Sequence, residues 1–454
     1  MKIKNIVITL FVILLVVFVF SYFFPKEGVT IGGLHVDIPT FEDVFLGKKV
    51  EYANIDKLIN DIDSTKNTKP KIKTKRERRE DFVYIEYPDS NETLLYNFFA
   101  SLSKSKEQSV RVLHYGDSQI EGDRITSYIR ARLQEKFFGN GQGEIPIYSQ
   151  SNIGNVAYEY SNGWKHHQII SPSKGFHSYG LTMECSETKP SLFTPVWVLF
   201  KFYKPINTPL TLYCTALGEK AKVKILANGN LLEERIIEKT PVNKIHIEKI
   251  EKLKTLKIET NDNILLYGLD ISEDKGVYVD NVSLRGSSGL GFSRGSEQLL
   301  SLLASEKYMN VKLIIMQFGT NVIPKGNETI VTDYDYFRKS YSRELAFLRK
   351  AMPNVAIIVI GPSDRSIKKG SHYITHPNIP KLIETQRQVA KENGCMFWDL
   401  FSAMGGENSM PAWVLRDKPL ANTDFIHFNH RGAEYVGELF YKALQEEYLE
   451  YKRK

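Results

Sequence analysis

Val110-Arg111-Val112-Leu113-His114-Tyr115-Gly116-Asp117-Ser118-Gln119 decides the fold of this 454-residue chain. Its first six residues form a short apolar strand that ends at Gly116. Ile125, Tyr128, Ile129, Leu133 and Phe137 then recur at helical spacing up to Gly139. The alternation resumes with a strand at 311–318, followed by Tyr334, Phe337, Tyr341, Leu345 and Leu348 on one helical face. A buried strand at 356–360, a helix near 380–393, a strand at 395–400 and a last helix carrying Ala433, Val436, Phe440, Ala443 and Leu444 complete it. Repeated strand–helix units predict an α/β domain of three layers, a parallel sheet with helices on both faces.

The rhythm breaks between residues 175 and 280. Ala221-Lys222-Val223-Lys224-Ile225 and Lys244-Ile245-His246-Ile247-Glu248 alternate with period two, and Asn228-Gly229 is a hairpin turn signal. No helical face occurs there, so 175–280 is predicted to be a β-sandwich inserted into the α/β domain. The α/β domain is then split into 90–174 and 281–454.

Open α/β sheets bind ligands in the loops at the carboxyl ends of their strands. Three short segments occupy such places: Gly116-Asp117-Ser118-Gln119, Gly319-Thr320-Asn321 and Asp424-Phe425-Ile426-His427. A serine after the first strand presents its hydroxyl at the sheet edge, beside the N–H groups expected at the start of the next helix. An Asp three residues before a His can orient the imidazole, which then serves as base to the serine. Each segment alone is an ordinary turn or cap. Their joint occurrence, in this order and at these positions, is what points to chemistry.

Composition narrows the alternatives. Apolar residues at 42% and charged residues at 25% exclude whole-chain disorder. The net charge of +7 owes much to the basic run 66–79, inside a stretch (25–89) read as stalk and linker. Cys185, Cys214 and Cys395 lack metal-ligand spacing, and a Cys185–Cys214 bridge is left open. Without a GxxxxGK[ST] sequence a nucleotide partner has no support, and no cofactor or metal is expected. His372 and His376 read as a loop pair, and His166-His167 beside Trp164 as a surface turn or the lining of a sugar site. Residues 6–24 carry no charge and follow Lys2 and Lys4. At about 1.5 Å per residue they would nearly span a bilayer, which predicts an N-terminal transmembrane helix over 1–24 with the rest outside the cytoplasm. The rival, a cleaved secretory signal, lacks its usual small-residue site. Nucleic acid is not an expected partner of an exported chain.

With these segments in place the sequence resembles the SGNH/GDSL hydrolase superfamily. The resemblance implies a flavodoxin-like hydrolase domain in which Ser118 is the nucleophile, His427 the base and Asp424 its partner. The oxyanion hole would comprise the Ser118 N–H, Gly286 and Asn321, with Gly289 a competitor for the glycine role. Gly361-Pro362-Ser363-Asp364, Trp398-Asp399-Leu400 and Met404-Gly405-Gly406 resemble the peptidoglycan O-acetylesterase-like branch, whose members carry a carbohydrate-binding-like β-module. Gln119 departs from the family pattern, where Leu is usual, and Val322 follows Asn321 where Asp is common. The resemblance implies an esterase removing O-acetyl groups from a cell-envelope polysaccharide such as peptidoglycan. The alternatives are an O-acetyltransferase using the same residues and a non-catalytic polysaccharide-binding protein.

Overall fold

In the strand Ser109–Gly116 successive side chains bury opposite faces. Val110 and Val112 enter one apolar layer, and Leu113 and Tyr115 the other. Ala356–Ile360 behaves likewise, with Ile358 and Ile360 on one side and Ile357 and Val359 on the other. A strand buried on both faces reads as a continuous apolar run, and the two covering layers explain why. The structure is a computed structural model, and it describes residues 3–23, 29–31, 34–36, 50–65, 79–88, 91–149, 153–191, 194–324, 330–331, 333–370 and 372–454.

Five parallel strands lie in the order Gly276–Ser283, Ser109–Gly116, Val311–Gln317, Ala356–Ile360, Met396–Trp398. Helices Glu297–Ala304, Asp335–Ala351 and Ile379–Glu392 cover one face through residues such as Leu300, Tyr341, Leu345 and Leu382. Helices Tyr96–Ser103, Thr126–Phe137 and His430–Arg453 cover the other through Phe98, Ile129, Val436 and Phe440. The predicted helical faces at 334–348 and 433–444 are those that point into these layers.

The inserted module is a pair of antiparallel sheets enclosing their own core, with Val198, Phe200, Leu212, Val223 and Leu266 in it. One sheet runs Asn230–Glu238, Lys220–Ala227, Leu253–Thr260, Val196–Ile206, Val156–Tyr160. The other runs Asn243–Ile247, Leu210–Ala216, Ile264–Ile271, Glu184–Thr188, Trp164–Gln168, with Gly143–Ile145 paired to Ile264–Ile271. Asn228 and Gly229, both at positive φ (49° and 86°), make the hairpin turn their sequence predicts. These strands occupy 143–271, so the module differs from the expected 175–280 at both ends. Gly276–Ser283 pairs in parallel with Ser109–Gly116 and belongs to the hydrolase sheet.

A buried ionic node fastens module to sheet. Arg111 donates to Asp280 at 2.8 Å and to Asp270 at 2.7 Å, and the Glu144 N–H donates to Asp280 at 3.0 Å. Asp270 lies on a module strand, and Asp280 and Arg111 on adjacent strands of the parallel sheet. Removing one partner from such a node strands a buried charge, so it holds the two units in one relation. Cys185, Cys214 and Cys395 are free thiols, and the open Cys185–Cys214 bridge is not formed.

The amino-terminal expectations need correction. A helix covers Ile3–Phe23 with its large apolar side chains exposed. Among the described residues, however, no helix is long and apolar enough to cross a membrane. The transmembrane anchor is therefore not upheld. The basic run 66–79 lies outside the described residues except for Arg79. Part of the expected linker is integral to the hydrolase domain. Helix Asp56–Thr65 is flanked by Ile55 and carries Ile59 and Ile62, all three buried in the layer under the last helix. Glu86 bridges Phe397 at the sheet edge.

Candidate active site

Strand register brings the Ser118, Gly286 and Asn321 loops together. Gly116 is level with Ser283 on one side and with Gln317 on the other. The chain therefore leaves three neighbouring strands at one sheet edge, entering the Ser118, Gly286 and Asn321 loops. The Leu284 N–H donates to the Gly116 carbonyl at 2.7 Å. Gly319 makes the turn toward Asn321 at φ 144°, and a Cβ there would approach Pro362 to 2.9 Å. Both facts require glycine.

Ser118 Oγ lies 2.9 Å from His427 Nε2, and His427 Nδ1 lies 2.7 Å from Asp424 Oδ2. The carboxylate accepts a hydrogen bond from Nδ1–H, which leaves Nε2 as acceptor for the serine hydroxyl. Asp424 is organised by its own turn, since its other oxygen accepts the N–H groups of Ile426 (2.9 Å) and His427 (3.0 Å). Partial burial alone would raise this carboxyl, but the His427 N–H and imidazole and the Ile426 N–H outweigh it and hold it below the ordinary range. Phe425 completes the turn at φ 57°, a conformation that costs a bulky residue of order 1–3 kcal/mol. Its ring stacks on Tyr373 with centroids 3.6 Å apart, which opposes relaxation.

The residues expected to form an oxyanion hole lie on three loops. Among the described residues, no acceptor pairs with the N–H of Ser118 or Gly286. Gly286 is exposed, and a Cβ on it would meet nothing within 4 Å, whereas Gly289 is buried and a Cβ on it would meet Phe318 and Tyr341 at 3.0 Å. Gly286 is thus the one facing open space. Asn321 Nδ2 donates to Asp117 Oδ2 at 3.2 Å and to the Ser287 carbonyl at 3.1 Å. Burial pushes the Asp117 carboxyl up to about 6, against the lowering effects of the Gln119 N–H, His427 and the Asn321 amide.

The helix read from Ile125 onward begins at Thr126, well past Ser118. Gly122 and Asp123, at φ 69° and 66°, break the path, so the Ser118 N–H belongs to a loop and not to a helix terminus. Two residues that sequence reasoning gave no part in the site tie this loop to His427. Gln119 Nε2 donates to the Ile426 carbonyl at 2.7 Å, and Gln119 Oε1 accepts the Phe428 N–H at 3.3 Å, gripping the backbone on either side of His427. Arg124 donates to the carbonyls of Ser118 (2.6 Å), Glu121 (2.8 Å) and Phe428 (2.8 Å). Neither role has a local sequence signal, because the acceptors on the His427 loop lie some three hundred residues away.

Leucine at position 119 would fill similar space without either bond to the His427 loop. Gln119→Leu should lower kcat on p-nitrophenyl acetate roughly 10- to 100-fold with KM little changed, as expected for misplacement of a catalytic base. Steady-state kinetics beside thermal unfolding test this. Intact kcat with reduced stability would make Gln119 merely structural.

Other singled-out residues lie elsewhere. His166 and His167 belong to the strand Trp164–Gln168, not to a turn. His167 is buried between Ser173 Oγ (3.0 Å) and Glu187 Oε2 (2.9 Å). His372 lies in the strand His372–Thr375, and His376 Nδ1 accepts the Asn378 N–H.

Residues 267–435 match the family described as GDSL-like Lipase/Acylhydrolase. That span of the chain is similar to the GDSL-like acylhydrolases. The matched span holds Gly286, Asn321, Asp424 and His427 but starts after Ser118, which the inserted module separates from it in sequence. The fold nevertheless brings Ser118 Oγ within 2.9 Å of His427 Nε2. A solved structure described as "Peptidoglycan O-acetylesterase in action, 5 min" is 19% identical, covers 80% of this chain and 97% of that one, and superposes with a TM-score of 0.62. A family two carbohydrate esterase from Clostridium thermocellum, in complex with cellohexaose, is 10% identical over 63% of this chain and 98% of that one, with a TM-score of 0.26. No curated protein matches the sequence.

Proposed function

We propose that this SGNH esterase removes O-acetyl groups from a cell-envelope polysaccharide, with peptidoglycan the foremost substrate, and that it acts outside the cytoplasm. The observation that carries the reading is the Ser118–His427–Asp424 relay at 2.9 and 2.7 Å. His427 takes the Ser118 proton as Oγ attacks the acetyl carbonyl. The N–H groups of Ser118 and Gly286 and the Asn321 amide receive the oxyanion. The tetrahedral intermediate collapses to acetyl-Ser118, and the sugar hydroxyl leaves with the proton from His427. Water, deprotonated by His427, then releases acetate and restores the serine. The fold shared with a peptidoglycan O-acetylesterase, over 80% of this chain, supports the choice of substrate.

The test is acetate release by the full chain from p-nitrophenyl acetate and from O-acetylated peptidoglycan. Release from both is expected. Release from the small ester alone would reject peptidoglycan as substrate, and release from neither would reject the esterase mechanism as assigned.

A further inference from the structure

A cleft of about 630 Å³ runs from the nucleophile loop to the inserted module. Its hydrolase wall includes Glu121, Arg285 and Gly286, and its module wall Tyr148, Gln168 and Glu184. Gly286 is the glycine placed above at the oxyanion position, so whatever fills the cleft lies beside the reacting ester. We propose that this cleft is a glycan subsite in which the module holds the sugar ring next to the one carrying the acetyl group. The proposal rests on the esterase reading and extends it, making the insertion part of the substrate site.

The module wall is built for a sugar. Tyr148 ends a column of rings: it stacks on His166 with centroids 3.5 Å apart, and His166 lies 5.9 Å from Trp164 at an interplanar angle of 12°. Burial, aided by neighbouring His167, pushes His166 down to about 4, so the column is uncharged near neutral pH. The Tyr160 hydroxyl accepts the Ser149 N–H at 2.9 Å, which fixes the backbone next to Tyr148. A rigid aromatic face offers a hexose its apolar C–H side at little entropic cost. Opposite one another on paired strands, Gln168 and Glu184 share a 3.0 Å hydrogen bond. Burial pushes Glu184 up to about 7, against the lowering effect of Gln168. A carboxyl in that range both donates and accepts, as sugar hydroxyls require. Amide, carboxyl and hydroxyl groups through the lining are unsuited to a long acyl chain, which a lipase site would hold on apolar residues.

The experiment uses the full chain, its Tyr148→Ala, Gln168→Ala, Glu184→Ala and Glu184→Gln variants, and two kinds of probe. Calorimetric titration with chitotetraose and cellotetraose reads the subsite directly. The ratio of kcat/KM on O-acetylated peptidoglycan to that on p-nitrophenyl acetate reads its use. Wild type is expected to bind at least one tetrasaccharide. Tyr148→Ala should weaken that binding and lower the ratio by about 5- to 10-fold. Gln168→Ala and Glu184→Ala should also weaken it, with Glu184→Gln restoring most of the loss because it keeps a donor and an acceptor. Failure of wild type to bind either tetrasaccharide overturns the proposal, as does undiminished binding by both Tyr148→Ala and Gln168→Ala. Tetrasaccharide binding through Tyr148 without acetate release from peptidoglycan would leave the subsite standing and sink the substrate reading. Release with an unaltered ratio in Tyr148→Ala would do the reverse.

Discussion

Ser118→Ala and His427→Ala each lower kcat on p-nitrophenyl acetate by about 10⁴- to 10⁶-fold, and the double variant falls no further. The bonds at 2.9 and 2.7 Å make serine and imidazole one device. Without the base the hydroxyl is a poor nucleophile, and without the hydroxyl the base has nothing to activate, so the losses do not add. The floor is what loop donors and binding achieve alone. Asp424→Asn should cost less than either, because Asp424 is 44% exposed and solvent screens part of its support for the imidazolium. Steady-state kinetics of the four proteins checks this. Additive losses in the double variant, or wild-type activity in Ser118→Ala, would show that the hydrolysis runs through other groups.

The parts of this design legible in the sequence are those written in local pattern. Val110–Tyr115 is mostly apolar, with Arg111 and His114 buried in it, because both faces of its strand are covered, and Gly-Asp-Ser follows because the chain must turn where the sheet ends. Asn228-Gly229 likewise needs only its own backbone to declare a hairpin. What escaped depends on distant partners. Gly143–Ile145 reads as the tail of a glycine-rich turn, yet it pairs with Ile264–Ile271, more than a hundred residues on. Gly276–Ser283 alternates like a module strand and is separated from the module only by its parallel partner. Ile55, Ile59 and Ile62 lie beside a basic run, and their burial under the last helix is a tertiary fact. Gln119 is the sharpest case. As a departure from the Gly-Asp-Ser-Leu pattern it looked inconsequential, because its acceptor and donor are backbone groups of Ile426 and Phe428. The residues proposed to perform chemistry carry local sequence signals, and those that aim them do not.

Asn321→Ala tests the oxyanion assignment, which no pairwise contact in the structure carries by itself. The expected loss is about 10²–10³ in kcat, the typical worth of one oxyanion donor, with KM changed little because the carbonyl demands the bond most as it becomes an oxyanion. Both amide hydrogens of Asn321 already have acceptors, at 3.1 and 3.2 Å. Donation to substrate therefore means sharing one, and the longer bond, to Asp117, is the more readily shared. That bond also predicts a stability signature. Burial already pushes Asp117 up to about 6, and losing a donor to its carboxylate moves it further in the same direction. A carboxyl raised on folding contributes stability that is present below its unfolded pKa and lost as pH rises through the folded one. The destabilisation of Asn321→Ala should therefore be larger at pH 7.5 than at pH 5, while Ser118→Ala, which leaves Asp117 its donors, shows no such difference. Kinetics and thermal unfolding at the two pH values decide the matter. An unchanged kcat would remove Asn321 from the oxyanion hole, and a stability loss independent of pH would break the link to Asp117.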